Sequence, residues 1–129
     1  MTQEKRQVMA MGPIEATKII SDEYAIKILV ATFRRSKSII ELSNVLSIPI
    51  AACYRRVRML EQKNLIRCTE KILTQKGKRI GMYVSNLKNA SIFLEDGQLR
   101  VRFELRSGAI ENYDGNMNIF NPNLVSGLT

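Results

Sequence analysis

Between residues 38 and 64 the chain is punctuated in a way that admits few folds. Ser38-Ile39-Ile40-Glu41 has the capping-box pattern, in which the Ser hydroxyl takes the third helical amide and the Glu reaches back to the cap amide. It predicts a short helix through Leu46, with Ile39, Leu42, Val45 and Leu46 as the apolar stripe. Ser47-Ile48-Pro49 breaks that helix. Pro suits the first turn of a new helix, because its missing N–H would be unpaired there in any case. A further helix is therefore expected from about Pro49 to Lys63, and Asn64 can take the left-handed conformation that ends it. Two helices joined by a connection of about three residues form a steep helix–turn–helix corner.

The flanks extend the pattern. Ser21 or Asp22 can cap an earlier helix in which Ala25, Ile28, Leu29 and Thr32 recur at helical spacing, with an end near Arg34–Lys37. After Asn64 the pattern turns to strand, with Leu65–Thr69 and Ile72-Leu73 leading to a turn at Gln75-Lys76-Gly77-Lys78, then Ile80 to Val84. This is a β-hairpin with a basic tip. A second hairpin joins Ser91–Glu95 to Gln98–Leu105 through Asp96-Gly97, a strong two-residue turn signal. Leu99, Val101, Phe103 and Leu105 form one face of its second strand, a stripe that would cover the domain core, the preferred reading, or a partner chain, which makes this hairpin and the first helix the candidate dimer surfaces. Residues 1–18, broken by Gly12-Pro13, are expected as a flexible arm or a frayed short helix, and residues 19–106 as the domain. The Asn-rich residues 107–129 are expected to be largely disordered, with one docking segment at Ile119, Phe120, Leu124 and Val125. The expected fold class is α+β: a winged helix–turn–helix of three helices and a hairpin wing, with an additional C-terminal β-hairpin.

Charge gives this order a direction. The chain carries 20 Lys and Arg against 12 Asp and Glu, a net +8. Residues 54–79 hold Arg55, Arg56, Arg58, Lys63, Arg67, Lys71, Lys76, Lys78 and Arg79 against Glu61 and Glu70, so nearly all the excess lies in this stretch. Such a concentration is the footprint of a polyanion-binding surface, where counterion release drives association. On the helix of residues 49–63, Ile50, Cys53, Val57, Leu60 and Asn64 fall in one sector of roughly 80° which, apolar but for Asn64, is expected to pack on the first two helices and leave the opposite face outward. The opposite sector holds Ala51, Ala52, Arg55, Arg58, Met59 and Gln62, with Arg56 and Lys63 on one flank and Tyr54 on the other.

Each residue type has a use against duplex DNA. The two alanines permit close approach, and a methyl can touch a thymine methyl. Arg55 or Arg58 can take guanine O6 and N7 through two parallel bonds, and Gln62 can pair with adenine. Tyr54, Arg56 and Lys63 are better placed for phosphates. Lys76, Lys78 and Arg79 at the hairpin tip suit a neighbouring groove or the backbone.

Other classes are disfavoured. With no His, the chain lacks the usual neutral-pH acid/base and the commonest metal ligand. It has no Gly-rich phosphate loop and no metal-ligand cluster, so neither enzymatic activity nor a cofactor is expected. No apolar run approaches the roughly 20 residues of a membrane span, and the first 20 residues have no signal-peptide pattern. A cytoplasmic protein with free thiols is expected. Cys53 and Cys68 both read as small core residues, and oxidation of Cys53 would disturb its helix from within.

Residues 41–66, with Glu41-Leu42-Ser43, Ile48-Pro49, Tyr54-Arg55-Arg56-Val57 and Leu65-Ile66, followed by Thr74-Gln75-Lys76-Gly77-Lys78-Arg79, resemble the winged helix–turn–helix of archaeal transcription regulators in the broad ArsR-like group. The resemblance covers about residues 21–85. It implies a homodimer with the helix of residues 49–63 in the major groove and the wing of residues 74–80 on the minor groove or flanking phosphates. The metal-sensing members' Cys-containing motif has no counterpart, since Glu41 to Leu46 includes no Cys.

The leading expectation is thus a sequence-specific, DNA-binding transcriptional regulator. The alternatives are a winged-helix module that binds proteins, which would present apolar anchors on the outward helix face, and a non-specific chromatin or nucleic-acid binder.

Overall fold

A computed structural model describes residues 11–115. The described chain contains helices α1 (Pro13–Ser21), α2 (Glu23–Ala31), α3 (Ile39–Leu46) and α4 (Ile50–Gln62). Strands β1 (Ile66–Leu73), β2 (Arg79–Ser85), β3 (Leu87–Glu95), β4 (Gln98–Leu105) and β5 (Ile110–Gly115) follow. The class is α+β, with four helices and two antiparallel sheets, β1-β2 and β3-β4-β5.

The largest differences from expectation lie at the two ends, where a fourth helix joins the expected three and a third strand joins the C-terminal hairpin. Residues 13–18 were expected in a flexible arm or frayed helix and instead form most of the packed helix α1. Gly12-Pro13 does not break structure but starts it. Gly12 is the extended cap residue, and Pro13 enters the first turn with a pre-set backbone angle. Glu15 in the first turn and Lys18 in the last match the helix dipole. Pro13, Ala16 and Ile19 bury one face, and the helix packs on β4 and β5.

At the other end, residues 110–115 were expected in a disordered tail and form β5, which pairs with β4 from Glu104↔Ile110 to Leu99↔Gly115. Buried Tyr113 meets Phe103 edge to face at 5.3 Å between ring centroids, a favoured aromatic geometry. Residues 1–10 and the segment containing Ile119, Phe120, Leu124 and Val125 lie outside the described residues.

Within the body, local chemistry explains each boundary. Asp22 ends α1 and caps α2, its Oδ2 accepting from the Ala25 amide at 2.9 Å. Helix α2 stops at Ala31, short of the expected Arg34–Lys37. Buried Thr32 donates its hydroxyl to the Ile28 carbonyl at 2.8 Å, and its own carbonyl accepts from the Ser85 amide. The capping box of α3 is formed in both directions. Ser47 adopts φ 56°, and Asn64, at φ 64°, closes α4 in the left-handed region.

One continuous core joins Ile28, Leu42, Val57, Leu60, Val101 and Phe103, all fully buried. Val101, Phe103 and Leu105 bury the expected face of β4, while Leu99 is only partly covered. In α3 Leu42 is buried, but Val45 is 61% exposed and lies outside the expected apolar stripe.

Candidate nucleic-acid interface

The outward face of α4 is a stripe at positions 51, 55, 58 and 62, spaced i, i+4, i+7 and i+11 along one side of the helix. Ala51, Arg55, Arg58 and Gln62 are all exposed. Opposite them Cys53, Val57 and Leu60 are fully buried against the core. Two residues stand differently from the sequence reading. Ala52 was placed on the outward face and is buried, whereas Ile50 was placed on the buried face and is 53% exposed. Helix α4 packs against α2 and α3, and its last turn reaches α1 where Lys63 meets Glu15.

Two of the basic residues meet carboxylates. Arg56 donates to both oxygens of Asp22, Nε to Oδ2 at 2.8 Å and Nη2 to Oδ1 at 3.0 Å, and lies over the Tyr24 ring. This bidentate contact holds the Asp22 carboxyl below its usual range, aided by the Ala25 amide and opposed by burial. Lys63 Nζ meets Glu15 Oε2 at 3.1 Å. Arg56 and Lys63, expected on phosphates, are thus held by carboxylates of α1 and its junction with α2. Tyr54 is 49% exposed, and its hydroxyl accepts from Arg58 Nη1 at 2.8 Å. That bond links two neighbouring turns without neutralising the arginine.

The β1–β2 hairpin carries the second basic element. Its loop is closed by the Thr74 amide on the Lys78 carbonyl at 2.7 Å and by the Lys78 amide on Thr74 Oγ1 at 3.1 Å. Gly77, at φ 82°, supplies the left-handed residue this loop requires. Lys76, Lys78 and Arg79 are exposed. Lys71 on β1, opposite Gly81, adds an exposed cation that the turn-centred reading passed over, although it lay in the same charge run. Among the described residues Arg55, Arg58, Lys71, Lys76, Lys78 and Arg79 form no ion pair.

The hairpin is fastened to the helices by main chain. The Lys37 amide donates to the Tyr83 carbonyl at 3.0 Å, and the Tyr83 amide to the Lys37 carbonyl at 2.9 Å, immediately before the α3 cap. Tyr83 covers Gly81, where an added methyl would come within 3.0 Å of its ring hydroxyl. Burial pushes the Tyr83 phenol above its ordinary value, so it stays neutral at this junction.

Cys53 is fully buried, and burial raises its thiol pKa. Cys68 was expected in the core, but it is partly exposed on β1 beside a bulge that shifts the register between Cys68 and Glu70. Among the described residues no group of three or more His, Cys, Asp or Glu could hold a metal, and no helix is long and apolar enough to cross a membrane. No protein-family model matches the chain, and no curated protein is detectably similar to it.

Proposed function

We propose that this chain is a winged helix–turn–helix protein that binds duplex DNA and regulates transcription, with α4 as the recognition helix and the β1–β2 hairpin as the wing. One observation carries the reading. The stripe Ala51, Arg55, Arg58 and Gln62 stands exposed opposite the buried side of α4, and its arginines form no ion pair within the described residues. Ala51 near the N-terminal end and bidentate donors beyond it suit a helix entering the major groove end-on. The main-chain pairing of residues 37 and 83 supports the assignment of the hairpin as a wing, because it fixes the hairpin beside α3. The resemblance of about residues 21–85 to archaeal ArsR-like regulators points the same way, including to a homodimer.

Selection from a random duplex library, followed by titration of the recovered site at several salt concentrations, tests the proposal. Recovery of a defined site, with affinity falling steeply as salt rises, is the expected result. Failure to bind any duplex at low salt would overturn it and favour the protein-interaction reading. The exposed Ile50 at the start of α4 is the observation that favours this second reading, since it supplies an apolar anchor at that end of the helix.

A further inference from the structure

The three arginines of α4 stand in three different states. Arg56 is neutralised by its two bonds to Asp22. Arg55 forms no side-chain hydrogen bond and no ion pair among the described residues. Arg58 is held, but by an uncharged group. Its Nη1 donates to the Tyr54 hydroxyl at 2.8 Å, and its Cζ lies 5.5 Å from the centre of the Tyr54 ring.

Helix geometry favours this contact. Residues four apart stand one above the other, and helical side chains lean back toward the N-terminus, so Arg58 reaches Tyr54 one turn below it. Tyr54 also lines, with Ile39, Ile40, Gly81 and Tyr83, a cleft of about 180 Å³ between the start of α3 and β2. Its ring thus stands on the side of α4 that faces the hairpin. A guanidinium has five N–H donors, and the phenol takes one of the two on Nη1. The Nε–Nη2 edge stays open, and such a pair of parallel donors fits guanine O6 and N7. Because Tyr54 is neutral, the positive charge of Arg58 stays available to the duplex. A carboxylate in that place would compete with the base, which is the situation of Arg56.

We propose that Tyr54 is a positioning residue that holds Arg58 ready to read one guanine, and that Arg58 therefore discriminates between bases more sharply than Arg55. The inference deepens the DNA-binding reading and rests on it. A free arginine loses rotamer freedom when it binds. Where the matching base is missing, it swings to a neighbouring base or a phosphate. A held arginine has lost that freedom beforehand. Against a wrong base it leaves donors unpaired in a contact from which water is excluded, so the penalty falls on the mismatched site.

Side-chain nitrogen NMR of the full chain without DNA tests the holding. Arg58 Nε should be more ordered than Arg55 Nε in the wild type, and should fall to the level of Arg55 in Tyr54→Phe, which keeps the ring and removes the acceptor. The wild-type comparison decides the matter if Tyr54→Phe fails to fold. The reading is tested on the duplex recovered by selection. Arg58→Ala marks the guanine concerned as the position whose preference it relaxes. There Tyr54→Phe should lower discrimination of guanine against adenine by about 3- to 10-fold, with affinity for random duplex unchanged. In an Arg58→Ala background, Tyr54→Phe should have no further effect on discrimination. Arg58→Lys, which keeps the charge without the fork, should lose the guanine preference. Equal order at Arg55 and Arg58 in the free protein overturns the proposal, whatever the chain does with DNA. So does an Arg58→Ala chain that keeps every base preference, or a Tyr54→Phe chain with undiminished discrimination. A Tyr54→Phe chain that weakens on all duplexes alike also overturns it, and makes Tyr54 a phosphate contact instead. A wild type that binds no duplex overturns the DNA-binding reading and this role of Tyr54 with it, and is told apart by an Arg58 that is still ordered in the free protein.

Discussion

Asp22 serves two partners at once: its Oδ2 accepts both the Ala25 amide that caps α2 and Arg56 Nε from α4, each within 2.9 Å. A single carboxylate thereby sets the corner between α1 and α2 and ties that corner to the helix bearing the exposed arginines. Its folded-state pKa lies below the ordinary value, so the stabilisation is fully present above about pH 3.9 and is lost as pH falls through the folded value. Asp22→Asn, which keeps a capping oxygen, should melt lower than wild type at pH 7, and the difference should shrink on acidification toward pH 2. Asp22→Ala also loses the cap and should cost about 2 kcal/mol at neutral pH. Thermal melts across pH check both; an unchanged gap at low pH would contradict the assignment.

Residues on α4 should divide in binding experiments by what they already hold. Arg55→Ala or Arg58→Ala should cost about 1–3 kcal/mol in affinity for the selected site and relax preference at one base position, with melting temperature little changed. Arg56→Ala should lower the melting temperature first, since its guanidinium is engaged with Asp22 and Tyr24. Parallel melts and anisotropy titrations separate the two groups.

The wing cations should act without regard to sequence. Lys76→Ala and Lys78→Ala should each weaken binding to all duplexes alike and reduce the salt slope by about one. A change confined to the selected site would mean that the tip reads bases.

The two cysteines should differ sharply in reactivity. Partly exposed Cys68 should alkylate readily in the native protein, and buried Cys53 only when the chain opens. Mass spectrometry of a timed labelling series shows the order.

Gly81→Ala should displace the Tyr83 ring, because the new methyl enters the space that ring occupies. A loss of about 1 kcal/mol of stability is expected, and replacing Tyr83 by a smaller residue in the same chain should relieve the clash.

Most of the helical middle of the fold was readable because its signals are local. A capping box, a Pro after a short break and an Asn at a helix end each act through a few neighbouring residues, and the structure has them at Ser38, Pro49 and Asn64. The Asp96-Gly97 turn was readable for the same reason. Misread features depend on distant partners. Gly12-Pro13 gives the same local signal whether it interrupts a helix or begins one, and the choice rests on β4 and β5 lying under Ala16 and Ile19. β5 is polar in sequence and holds its place through Tyr113 against Phe103 and through backbone pairing. On α4 the angular positions were sound, but which flank is covered depends on where the neighbouring helices lie, and Ile50 and Ala52 came out reversed. Arg56 looked like a free cation because Asp22 is 34 residues away.

The paired amides and carbonyls of Lys37 and Tyr83 are atoms that every non-proline residue possesses. The direction in which the hairpin points is therefore written in the backbone, while the character of its tip is written in side chains that form no ion pair among the described residues. Aim and message are stored separately. Lys76, Lys78 and Arg79 can therefore be replaced without disturbing the joint that holds the hairpin in place.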